Sequence, residues 1–164
     1  MQIPWISNSN YESKLKGYRF EQFVVRGFEH GAYTLLRWRS DKQAGEIFAA
    51  ENSEPDLVIR FTGKKKRAHF AVECKYRSKY HEHDTVKFDT DQLRRYEKFG
   101  ENNRIPVFLI LGLQGSPSKP RDLFIIPLKV ILATPILSKT DLAQYHKLGS
   151  YDSFKFDIST MQVV

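Results

Sequence analysis

Two short apolar runs separated by a basic turn constrain this chain more than any other stretch. Glu54-Pro55-Asp56-Leu57-Val58-Ile59-Arg60-Phe61 and His69-Phe70-Ala71-Val72-Glu73-Cys74-Lys75-Tyr76 are rich in Val, Ile and Phe, and the intervening Thr62 to Arg67 is polar with one glycine. This composition predicts two antiparallel strands joined by a hairpin turn. Side chains alternate along a strand, so Leu57, Ile59 and Phe61 share one face of the first, and Phe70, Val72, Cys74 and Tyr76 share one face of the second. Joining these apolar faces in one core leaves Asp56, Glu73 and Lys75 together on the opposite face. Cys74 then points into the core and is read as structural. Two carboxylates and an ammonium gathered in this way are costly unless something uses them.

A hard divalent cation would use them. Mg2+ takes oxygen ligands from one or two carboxylates and keeps water and phosphate oxygens in its remaining positions. Such an ion lowers the pKa of a bound water and screens charge on a phosphate, and a neighbouring lysine can orient that water. The residues therefore fit phosphodiester hydrolysis.

Pro55-Asp56 followed after a gap by Glu73-Cys74-Lys75 resembles the PD-(D/E)xK signature of the restriction-endonuclease-like nuclease superfamily. The resemblance implies that Asp56, Glu73 and the backbone carbonyl of Cys74 hold Mg2+, with Mn2+ able to substitute, and that Lys75 assists the attacking water. It also implies an α/β fold, with a restriction-endonuclease-like mixed central sheet flanked by helices.

Two further features match. Glu21 lies on the same helical stripe as Val24, Val25 and Phe28, and a carboxylate on an apolar stripe is unusual without a partner. A surface ion pair with Arg19 or Arg26 would be the ordinary explanation. The helical glutamate found near the metal in many superfamily members gives Glu21 a metal-site role instead. Gln92 and Tyr96 are one helical turn apart and resemble the QxxxY motif of one branch, where both residues border the active site. Without that resemblance, Tyr96 would simply pack on the sheet. Within the superfamily, the compact size and the early helical glutamate are similar to archaeal Holliday-junction resolvases, which implies a homodimer with two sites. The last third of the chain carries no comparable match.

Length bears on organisation: 164 residues with 41% hydrophobic content predict a single domain over 1–164, with residues 1–10 as an irregular arm. No transmembrane run or signal-peptide pattern is read, and the single cysteine fits a reducing compartment, so a cytoplasmic protein without membrane attachment is expected. The net charge of +7 attracts nucleic acid but also other anions. The positive residues expected around the site are Lys64, Lys65, Lys66 and Arg67 in the hairpin turn, Arg77 and Lys79 beyond Lys75, and Arg94 and Arg95 beside Gln92. His81-Glu82-His83-Asp84 is read as a solvated loop, because no further His or Cys joins it at a metal-binding spacing.

The remaining expectations are local. Helices are predicted over Tyr11 to His30 with Gly31 as its stop, from Asp89 or Thr90 to Gly100, over Leu128 to Leu132, and over Thr140 to Leu148 before Gly149. Strands are predicted over Tyr33 to Arg39, Val107 to Leu113 and Leu123 to Ile126, with loops over Ser40 to Ser53 and Gln114 to Pro120. Phe154, Phe156 and Ile158 alternate as in an edge strand. The function that follows is a Mg2+-dependent endodeoxyribonuclease in DNA repair, recombination or phage defence. The alternative is a nucleic-acid-binding or regulatory module that keeps the nuclease fold without turnover.

Overall fold

The computed structural model describes residues 8–39 and 54–164. The loop expected over Ser40 to Ser53 and most of the expected N-terminal arm lie outside the described residues, while residues 8–10 are already helical. Helix α1 (Asn8–Gly27) buries Phe20, Val24 and Val25 on one stripe. It stops at Gly27 rather than at Gly31. In a longer helix the Gly27 carbonyl would accept from residue 31, but here it accepts from the backbone N–H of Phe154 at 2.9 Å. A Cβ at Gly27 would also stand 2.2 Å from the Phe154 ring, so the carboxy-terminal segment closes over the helix end.

The strands follow as β1 (Tyr33–Trp38), β2 (Leu57–Thr62), β3 (Arg67–Arg77), β4 (Thr85–Lys87), β5 (Val107–Ser116), β6 (Lys119–Pro127), β7 (Ile136–Ser138), β8 (Phe156–Asp157) and β9 (Gln162–Val163). Five of them form the central sheet in the order β1-β2-β3-β5-β6. β3 and β5 are parallel, linked through helix α2 (Thr90–Asn103), and the other pairs are antiparallel. The fold is therefore mixed α/β, as expected.

Both faces of the sheet are covered. Leu57, Ile59, Phe70, Val72, Cys74, Phe108 and Ile110 pack under α1 and the Phe154–Phe156 segment. Ala71, Leu109, Leu111 and Ile126 pack on the reverse under α2 and the short α3 (Leu128–Ala133). A strand buried on both faces loses its alternation, which is why residues 107–113 read as one apolar run. Gly112 interrupts that run because a Cβ there would meet the Phe20 ring at 2.4 Å.

Several boundaries differ from expectation. Gln114 to Pro120 is not a loop: β5 and β6 continue through it to a two-residue turn at Pro117 and Ser118, with Gln114 and Gly115 both at positive φ. Asp89 caps α2, accepting from the backbone N–H groups of Asp91 and Gln92, but the helix runs past Gly100 to Asn103. The helix expected over Thr140 to Leu148 shrinks to α4 (Lys139–Ala143), closed at its start by a Ser138–Asp141 capping box. Of the expected edge strand, only Phe156 and Asp157 pair, with Val163 and Gln162. No helix among the described residues is long and apolar enough to cross a membrane.

Candidate active site

Leu57 lies opposite Val72 in the β2–β3 ladder, so the register brings Asp56, just before β2, beside Glu73. A reciprocal latch fixes the pair. The Asp56 backbone N–H donates to Glu73 Oε2 at 3.2 Å, and the Cys74 backbone N–H donates to Asp56 Oδ2 at 2.9 Å. Lys75 Nζ stands 2.8 Å from Glu73 Oε1. Asp56 and Glu73 are buried, while the Lys75 side chain keeps 21% of its surface exposed. Cys74 points the other way, into the core under α1, as its strand parity predicts.

The face that carries Asp56, Glu73 and Lys75 also holds a second core, and α2 lays the buried Leu93 and Tyr96 across it. The Tyr96 hydroxyl is within hydrogen-bonding reach of Glu73 and donates to it. Burial, followed by the negative charge of Asp56, pushes the Glu73 carboxyl up to about 7, against the opposing pull of Lys75 and Tyr96. Tyr96 in turn rises well above the ordinary phenol range, through burial and the Glu73 charge.

Gln92 sits half-buried in the first turn of α2, one turn before Tyr96, with its backbone N–H tied to the Asp89 cap at 3.1 Å. Glu21 is buried on α1, where it accepts from Trp38 Nε1 at 3.1 Å. Its charge acts on the Cys74 thiol together with those of Asp56 and Glu73. Among the described residues, however, no three His, Cys, Asp or Glu side chains gather closely enough to hold an ion, so Glu21 does not complete a three-carboxylate cluster.

Trp38 is the contributor that sequence reasoning missed. Its ring stacks on Tyr18 of α1 at 5.9 Å between centroids, and its indole N–H fixes Glu21. Arg39 also helps, since its backbone N–H donates to the Asp56 carbonyl at 2.9 Å and its guanidinium, like that of Arg37, pairs with Glu54. These contacts bridge positions 15 to 20 residues apart, so no local pattern announces them.

The basic residues divide into two groups. Arg77 and Lys79 are exposed just beyond Lys75, and Arg94 and Arg95 are exposed on the α2 turn that carries Tyr96. Lys64, Lys65, Lys66 and Arg67 do not surround the carboxylates. They occupy the far end of the β2–β3 hairpin, and the six residues from Arg67 to Glu73 span about 20 Å of strand. The His81–Asp84 segment is a short exposed turn with His83 and Asp84 at positive φ.

The donor set fits a divalent cation. Two adjacent buried carboxylates face one ammonium, and the raised Glu73 carboxyl reflects first its burial and then the charge of Asp56.

Among solved structures, the chain is similar to Hjc, a Holliday junction resolvase from the archaeal hyperthermophile Archaeoglobus fulgidus, with a TM-score of 0.55 and 16% identity over 79% of this chain and 93% of that one. No family model matches the chain, and no curated protein matches it in sequence.

Proposed function

We propose that this protein is a Mg2+-dependent nuclease that hydrolyses phosphodiester bonds in DNA, of the PD-(D/E)xK superfamily and its QxxxY branch, acting in recombination or repair. The observation that carries the reading is the latched pair of Asp56 and Glu73 with Lys75 at 2.8 Å from Glu73. Asp56, Glu73 and the carbonyl of Cys74 would hold the ion, with Mn2+ able to replace Mg2+. When bound, it supplies charge neutralisation and an acidified water. Glu21, held by Trp38 outside that pair, would add negative charge that favours a bound cation.

The chain's own residues do the rest. Lys75, the one partly exposed member of the trio, orients the attacking water and takes up a position against the negative charge that develops on phosphate. Tyr96 holds the Glu73 carboxylate from above, and Gln92 borders the phosphate path. Arg77, Lys79, Arg94 and Arg95 engage the backbone on either side of the scissile bond without reading its bases. The likeness in fold to Hjc supports a recombination substrate, which two copies of the chain would cut as a homodimer.

The test is incubation with supercoiled, linear, single-stranded and branched DNA, with Mg2+, Mn2+ or chelator. Metal-dependent cleavage is expected and should vanish in Lys75→Ala and Asp56→Asn, which still fold and bind DNA. Cleavage that survives both substitutions, or binding without cleavage of any substrate, refutes the reading.

A further inference from the structure

At the end of β3 away from the carboxylates, Lys66, Arg67, His69, Asn103 and Arg104 line a cleft of about 410 Å³ whose floor includes Ile105. Its charge is one-sided. Among the described residues no carboxylate lies within ion-pair distance of Lys66, Arg67 or Arg104. Its frame is also fixed. The Gly63 N–H donates to the Lys66 carbonyl at 2.9 Å, closing the hairpin turn, and Arg67 pairs with Thr62 in the ladder. Arg104 caps α2 in the left-handed region, at φ 53 and ψ 44. Glycine or asparagine usually fills such a cap, because a Cβ is disfavoured there. The cleft thus carries a cation where local backbone energy favours a residue with no charge.

We propose that this cleft is a second, distal phosphate-backbone contact for duplex DNA, engaging a strand that is cut at the Asp56–Glu73 end. The inference rests on the nuclease reading and adds a geometry to it. Arg67, His69, Ala71, Glu73 and Lys75 share one side of β3, with α2 covering Ala71 between them, so cleft and carboxylates lie at the two ends of that strand and a duplex reaching both would pass over α2. The span of about 20 Å between them matches roughly 6 base pairs at 3.4 Å each. A duplex shorter than that reaches only one end. Phosphodiester oxygens suit three cations that have no carboxylate beside them among the described residues.

The experiment measures binding in chelator, where no cleavage occurs, to hairpin duplexes with stems of roughly 5 and roughly 20 base pairs over a salt series. The variants are Arg104→Gly, chosen because glycine suits φ 53, and Lys66→Ala/Arg67→Ala/Arg104→Gly. For the long stem, the salt slope should fall by about 0.9 in the single variant and by roughly 2.7 in the triple one, with affinity at low salt down at least about tenfold. The short stem, which reaches only one end at a time, should lose less affinity than the long one, and cleavage of long DNA should show a raised KM with kcat intact. Unchanged slope and affinity in the variants, with a wild type that cleaves, would overturn the distal contact alone. A wild type that neither binds nor cleaves DNA would overturn the nuclease reading as well. Loss of binding to anionic vesicles with DNA binding unaltered would assign the cleft to a lipid surface and overturn the proposal.

Discussion

Glu73 offers the sharpest handle on the site, because its proton and the proposed cation would compete for one buried carboxylate. In the folded protein it titrates at about 7, against 4.5 for a solvated glutamate. The folded-state pKa is the higher one, so the folded form holds a proton that the unfolded chain has released. The resulting stabilisation is fully present below 4.5, declines as pH rises between the two values, and is gone above about 7. In that window folding carries about one proton more than the unfolded chain, worth 1.36 kcal/mol per pH unit, or roughly 3 kcal/mol in total. The group is fully buried, so solvent screening does not reduce the figure.

The assay is urea unfolding in chelator at a series of pH values for wild type and Glu73→Gln, whose amide stays neutral throughout. Wild-type stability should fall relative to the variant by roughly 3 kcal/mol from about pH 4.5 to about pH 7.5. Mn2+ at a hundredfold excess over its Kd should return about 2.7 kcal/mol at the alkaline end. It should return little near pH 5, where the proton holds the site. Parallel pH profiles for the two proteins would refute the account of a carboxyl raised by burial and by Asp56. Mn2+ stabilisation independent of pH would show that the ion binds elsewhere.

Two further outcomes test the frame around the site. Trp38→Phe keeps the stack on Tyr18 but removes the N–H that holds Glu21, and it should cost about 1–2 kcal/mol in denaturant unfolding; an unchanged midpoint would mean that Glu21 has equivalent support. Gly112→Ala places a methyl 2.4 Å from the Phe20 ring, so a loss of roughly 1–3 kcal/mol is expected, and a neutral result would show that α1 yields without cost.

Why some of this was legible in the sequence and some was not follows from the range of each interaction. Strand parity is local: the alternation of residue types is enough to place Cys74 in one core and to set Glu73 and Lys75 on the reverse face. The latch between Asp56 and Cys74 joins positions 18 apart, yet the motif spacing points to it, because the hairpin is itself a local element. What parity does not reveal is the covering of a face. The reverse face is closed by α2, a helix that follows the motif in the chain, and the burial it brings, together with the Asp56 charge, raises the Glu73 carboxyl against the pull of Lys75 and Tyr96. The same limit misplaced the basic turn. Lys64 to Arg67 lie near Glu73 in sequence, but an extended strand carries the chain away at about 3.3 Å per residue. Sequence proximity gathers charges in a helix or turn and separates them along a strand. For the nuclease proposed above, the ends of β3 would be two places on the substrate, and binding and cleavage should respond to mutation separately.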